Sequence, residues 1–182
     1  ADVIGSDSLL NELELMQIID EVFHIGLQVP YIVKLNNRKI LSGIAEVIGE
    51  KDKLIDITVA IDKLDKVGLE LVIKELSDKG LSERGVTHLR KLLEGLPVMD
   101  NSFDSRIVQL KEFLKDSEIG KKWIEEIEYL FELININIPR NRNFDFELDI
   151  TLARGLNYYT GTIIEVKTKA AHVLLSSICG GG

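Results

Sequence analysis

Cysteine is nearly missing from this 182-residue chain, and the single Cys179 excludes an intrachain disulfide framework and leaves too few thiolates for a cysteine-based zinc site. A reducing, cytosolic compartment is therefore the expected one. Long apolar runs are missing as well. Stretches such as Leu69–Ile73 and Val173–Leu175 fall far short of the roughly 20 residues that a membrane-spanning helix needs. Positive charge is in deficit, with 22 Lys plus Arg against 30 Asp plus Glu and a formal charge of −8. That balance argues against a nucleic-acid binder held by a whole-domain positive field and leaves room only for local basic patches. The opening residues carry neither a basic nor an apolar signal region, so no secretory leader is expected.

What is present is a 45% hydrophobic, 29% charged composition, enough for one domain with a proper core and a small second subdomain, and unlike disordered, collagenous or coiled-coil chains. Both ends read as cut. The chain opens on a strand-like Val3-Ile4-Gly5 and closes on Cys179-Gly180-Gly181-Gly182, so a piece of a longer protein is expected.

From Ser6 to Gly26, Leu9, Leu10, Leu13, Met16, Ile19, Val22 and Phe23 recur at helical spacing, with Ser6, Asp7 and Ser8 as candidate caps and Gly26 as the stop. Val29 to Leu35 is β-prone and ends at Asn36-Asn37; Arg38 to Ile48 returns to helical spacing and stops at Gly49. Between 51 and 136 only short helices are expected, punctuated by Gly68, Gly80, Gly85, Gly95 and Pro97, with apolar stripes at Ile107, Leu110 and Leu114 and at Trp123, Ile124, Ile127, Leu130, Phe131 and Ile134. After Asn143 the apolar period changes to two, through Phe144, Phe146, Leu148, Ile150 and Leu152. Further strands are expected at 158–166 and 172–178. The fold class is α+β: an antiparallel sheet split in sequence by an all-helical insertion, with residues 1–50 and 137–182 as core segments and 51–136 as the insertion.

Chemistry concentrates between Leu152 and Glu165. There Arg154, Tyr158 and Tyr159 place a forked guanidinium and two phenols within six residues, beside Gly155, at a strand junction. Such a cluster suits an anionic, planar-polar ligand: the guanidinium can grip a carboxylate or phosphate, and a phenol can bond a ring nitrogen. The same residues also read as two ordinary strand tyrosines and an arginine paired with a surface acid. His24 reads as packed or exposed on its helix, and Cys179 as a buried small residue. His88 and His172 have no Cys or His at metal spacing, so no protein-bound zinc is assigned.

Arg154-Gly155-Leu156-Asn157-Tyr158-Tyr159-Thr160-Gly161 resembles the Arg-Gly-Leu-Asp-Tyr-Tyr-Thr-Gly signature of histidyl-tRNA synthetases, with Asn157 in place of the usual aspartate. Cys179-Gly180-Gly181-Gly182 is similar to the start of a second, glycine-rich signature, and Ala1 to Gly5 to the end of the segment after class II motif 2. Residues 36–44 and 61–66 resemble the entry into the helical insertion of the eukaryote- and archaea-like branch.

The resemblance implies a class II ligase that activates histidine with ATP and Mg2+ and transfers it to tRNA, as a cytoplasmic homodimer. Arg154 would contact the histidine carboxylate and the α-phosphate of ATP; Tyr158 and Tyr159 would line the histidine pocket; Asp2, with Tyr159, would recognise the imidazole. Gly180, Gly181 and Gly182 would form a pocket floor that a ligand can approach closely, or else a flexible end. Lys79, Arg84, Arg90 and Lys91 would face the tRNA acceptor arm, or form a solvated helix face. Three expectations follow: that 51–136 is helical, that Asp2, Arg154, Tyr158 and Tyr159 share one cleft, and that these 182 residues alone do not catalyse adenylation. The alternatives are a non-aminoacylating regulatory paralogue, against which the insertion and the intact Arg154 and tyrosines weigh, and a generic helical interaction module.

Overall fold

In a computed structural model the chain is described at residues 3–95, 102–139, 144–153, 158–169 and 177–182. Helix α1 (Leu10–Asp20) buries Leu13 and Met16 and runs on as a wider π-helical turn, Glu21–Leu27, that buries Phe23. The stop falls at Gln28 rather than Gly26: the wider turn carries the helix past the glycine, and Gln28 takes the left-handed conformation at φ 55°. Strand β1 (Tyr31–Asn37) leads straight into α2 (Arg38–Val47), whose first turn is capped by Asn37 Oδ1 accepting the Lys39 N–H at 2.9 Å. A short 3-10 turn at Lys51–Lys53 is followed by α3 (Leu54–Ile61), α4 (Leu64–Val67), α5 (Leu69–Asp78), α6 (Glu83–Gly95), α7 (Phe103–Phe113) and the 20-residue α8 (Glu118–Asn137). Strands β2 (Phe144–Leu148), β3 (Thr162–Thr168) and β4 (Ser177–Gly181) complete a sheet of order β2-β1-β3-β4.

The α+β class stands, and the described part of 51–136 contains helices and turns without a strand. Pairings β1–β3 and β3–β4 are antiparallel, whereas β1–β2 is parallel, from Tyr31 opposite Phe144 to Leu35 opposite Leu148. A crossover through seven helices returns the chain in the direction of β1, so this edge departs from the antiparallel expectation. Strand β2 ends at Leu148, short of the expected Leu152, because Asp149 and Thr151 form a side-chain-braced turn. Residues 172–176 lie outside the described residues, and β4 begins only at Ser177. At the other end, Val3 to Gly5 form no strand and Ile4 is exposed.

One face of the sheet, carrying Tyr31, Val33, Leu35, Val166 and Leu148, is buried against the helices in a single apolar cluster that also holds α2, α3, α5, α6 and α8. Stacked Phe103 and Phe131, with Phe146 against both, tie α7 and α8 to β2. Helices α2 and α8 cross at two glycines. A Cβ on Gly43 would lie 2.8 Å from the Gly120 Cα, and one on Gly120 would lie 2.9 Å from the Leu114 Cβ. No helix among the described residues is long and apolar enough to cross a membrane.

Candidate functional site

The opposite face carries the polar row. Side chains of Ile32, Lys34 and Asn36 alternate with the core positions of β1, and the register sets Glu147 of β2 and Glu165 of β3 beside Lys34. Glu165 is buried, with Lys167 Nζ 3.2 Å from its carboxylate. Next along the row, Gly180 of β4 lies opposite Glu165.

At the β3–β4 edge, Tyr159, Ile163, Ile164, Glu165, Ser177, Cys179, Gly180 and Gly181 line a cavity of about 380 Å³. The glycine run is part of this cavity because the backbone there is crowded. A Cβ on Gly182 would meet the Thr162 carbonyl oxygen at 2.5 Å and the Tyr159 ring at 2.7 Å, and one on Gly180 would meet the Ile164 carbonyl oxygen at 2.9 Å. The Tyr159 ring therefore lies directly on the Gly182 backbone, about 20 residues away in sequence, and the strand passes beneath it without a side chain between.

Of the residues singled out in the sequence, Tyr159, Gly180 and Gly181 line this cavity together, with Gly182 under the Tyr159 ring. Tyr158 is 80% exposed, outside the cavity lining, and meets the Tyr159 ring edge-on at 5.4 Å. Asp2 and Arg154 lie outside the described residues, as does His172. Cys179 is exposed rather than buried, because β4 is an edge strand with no element of the described chain packed over that position. Ile163, Ile164 and Glu165 were not singled out by sequence; Glu165 carries a weak signal, an acid between the apolar Ile163-Ile164 and Val166.

The ends of the Leu152-to-Gly161 segment are both tied to the β1–α2 junction. Asn36 Nδ2 donates to the carbonyls of Ile150 and Leu152, at 3.3 and 2.9 Å, and the Arg38 backbone N–H donates to the Gly161 carbonyl at 2.8 Å. The turn after β2 is braced further by the Asp149 N–H on the Leu35 carbonyl at 2.8 Å and by the Lys34–Asp149 ion pair at 2.7 Å. Burial pushes the Asp149 carboxyl up, but the charge and hydrogen bond of Lys34 and two bonds from Thr151 outweigh it and hold it below the usual carboxylate range. In the helical segment, Lys79 is engaged by Asp56 and Glu75 and Arg90 by Glu70 and Glu94, whereas Arg84 and Lys91 are exposed. Among the described residues no group of three or more His, Cys, Asp or Glu side chains is placed to hold a metal ion.

A mixed sheet with a glycine-rich strand running under a tyrosine, and helices inserted between β1 and β2, matches the class II synthetase catalytic domain. The histidyl-tRNA synthetase family model matches residues 1–182, and the chain belongs to that family. It is 52% identical over 183 residues to a histidine–tRNA ligase of Bacteroides fragilis strain YCH46, an alignment covering all of this chain and 38% of that protein. The crystal structure of histidyl-tRNA synthetase from Nostoc sp. PCC 7120 superposes with a TM-score of 0.80 at 30% identity, covering 97% of this chain and 40% of that one. An ATP phosphoribosyltransferase regulatory subunit/histidyl-tRNA synthetase from Bacillus halodurans shares the fold at a TM-score of 0.74 and 19% identity, over 99% of this chain and 44% of that one. These relatives are bacterial, and they lend no support to a eukaryote- and archaea-like branch. The chain spans about 38% of the length of the curated relatives it matches.

Proposed function

We propose that the protein containing this chain is a histidine–tRNA ligase, which joins histidine to ATP as histidyl-adenylate, releasing pyrophosphate, and passes the histidyl group to its tRNA. The observation that carries this reading is the Tyr159 ring seated on Gly182 at the cavity lined by Gly180 and Gly181, in a chain 52% identical to such a ligase. Tyr159 and Asp2 take the imidazole, offering a phenol and an acceptor to its two nitrogens, and the Tyr158 ring backs Tyr159. Arg154 grips the histidine carboxylate and the α-phosphate, where its fixed charge offsets the charge that develops as pyrophosphate leaves. ATP and Mg2+ enter as the substrate complex. Residues 51–136 form the insertion that approaches the tRNA acceptor arm, and the exposed Arg84 and Lys91 suit that role better than the ion-paired Lys79 and Arg90. The whole protein is a cytoplasmic homodimer. A placing in the eukaryote- and archaea-like branch would rest on residues 36–44 and 61–66 alone.

The test is histidine-dependent exchange of labelled pyrophosphate into ATP by the full-length protein and by its Gly182→Ala variant. The added Cβ must displace the Tyr159 ring or the Thr162 backbone, so the KM for histidine should rise by about tenfold or more. No exchange above the level without histidine would refute the ligase reading and favour the regulatory paralogue.

A further inference from the structure

Asn36 is fully buried at the second-to-last position of β1 before the helix, on the polar face of the sheet, where an apolar side chain would cost nothing to enclose. Its carboxamide is oriented by its surroundings: both N–H groups point at carbonyls, those of Ile150 and Leu152, and the reversed amide would set oxygen against oxygen. Among the described residues its Oδ1 has no hydrogen-bond partner, so there the fold keeps a buried polar group that is only half satisfied. What this gains is control of an irregular stretch. Residues 150 and 152 follow the last ladder pair of β2, so no sheet bond fixes their carbonyls, and the chain reaches Arg154 only two residues later. At the far end of the same segment the Arg38 N–H holds Gly161. Residues 36 and 38, on one short rigid junction, thus set both ends of the segment that carries Arg154, Tyr158 and Tyr159.

We infer that Asn36 is a positioning residue for the adenylation step, fixing the Ile150–Leu152 backbone so that Arg154 is delivered to the substrate carboxylate and phosphate in a constant place. This rests on the role given to Arg154 under Proposed function. Asn36 touches no substrate. It acts through backbone, so its loss misplaces the guanidinium without removing it, and misplacement of about 1 Å can cost on the order of 100-fold in rate.

The experiment uses the full-length protein in histidine-dependent pyrophosphate exchange, with Asn36→Leu, Arg154→Lys and the double variant. Leucine is close to asparagine in shape and removes the orphan acceptor, but it leaves the Ile150 and Leu152 carbonyls without their donor, so a thermal unfolding curve checks that the variant folds. Asn36→Leu should lower kcat by about 10- to 100-fold, and because Arg154 also grips the histidine carboxylate the KM for histidine should rise with it. In the Arg154→Lys background the same change should lower kcat by less than about threefold, because the guanidinium it would position is already gone. If Asn36→Leu does not fold, Asn36→Ser, which still donates one bond, replaces it, with a smaller kcat loss that again vanishes beside Arg154→Lys. Multiplicative losses in the double variant, or an unchanged kcat in a folded Asn36 variant, would overturn the inference while leaving the ligase reading intact. No histidine-dependent exchange by the unaltered protein would overturn both.

Discussion

Replacing Asp149 with asparagine tests how the polar face of the sheet is held. The Lys34 and Asp149 side chains are 17% and 16% exposed and 2.7 Å apart, with Glu147 at 3.8 Å as the second acid beside Lys34. At an effective dielectric constant near 20 the pair attracts by about 6 kcal/mol before the cost of taking both charges out of water. Removing one partner from a buried pair costs about 3–5 kcal/mol; with Glu147 left beside Lys34, Asp149→Asn should fall at about 2–3 kcal/mol. The asparagine oxygen can still accept from Thr151, so the loss reports the charge and not the turn. Lys34→Met with Asp149→Asn, which keeps the acceptor for Thr151, should cost less than the sum of the two single changes, since removing both charges also removes their desolvation cost.

The sign with pH is fixed by the shifts. Asp149 is held below its unfolded value, so its contribution is complete above about pH 5 and is lost as pH falls through the carboxylate range toward its folded pKa. For Lys34, burial alone would lower the pKa, but Asp149 and Glu147 raise it overall, so its contribution is complete below about pH 10 and is lost as pH rises through the folded pKa. Urea midpoints at pH 7 and across pH 3–5 measure the Asp149 effect, and midpoints from about pH 9 to 11 measure that of Lys34. Equal midpoints for the unaltered chain and Asp149→Asn at pH 7, or the same acid loss in both, would refute the reasoning.

At the α2–α8 crossing, Gly43→Ala gains about 1 kcal/mol in helix propensity but places a Cβ 2.8 Å from the Gly120 Cα and so pushes the helices apart, and a net loss of about 1–2 kcal/mol is expected in the same urea titration. If the proposed ligase reading holds, a chain of residues 1–182 alone should show no histidine-dependent pyrophosphate exchange while the full-length protein turns over, because the resemblance assigns the grip on triphosphate and adenine to motifs outside these residues. Parent-like turnover by the short chain would refute that assignment.

The helices were legible because a 3.6-residue stripe survives any tertiary arrangement: Ile124, Ile127, Leu130 and Ile134 are all buried on α8. Strand direction was not legible, since a two-residue period reads the same for parallel and antiparallel neighbours, and only the crossover decides that Phe144 lies beside Tyr31 in the same sense. The strand end at Asn36-Asn37 was legible because asparagine favours the ends of elements, but the partners were not: Asn36 is bound to Ile150 and Leu152, and Asn37 caps α2. The cavity was half legible. Tyr159 and the glycines came from a resemblance, while Glu165 and Asn36 gain their surroundings from strands more than 100 residues apart in sequence.

Strand β1 lies between β2 and β3, and both neighbours arrive late, Phe144 some 113 residues after its partner Tyr31. At about 5–20 residues per second, a ribosome leaves both edges of β1 without partners for about 6–23 seconds. Closing so long a loop costs about 2 kcal/mol more than closing a ten-residue hairpin, so the sheet forms after the helices between its strands. During that interval Tyr31-Ile32-Val33-Lys34-Leu35 is an apolar, β-prone segment able to pair with another nascent chain. Its one interrupting charge is Lys34. Before Asp149 exists to pair with it, that lysine already discourages stacking of β1 on its own kind, so an apolar replacement that the finished fold would tolerate should still lower the yield of soluble protein.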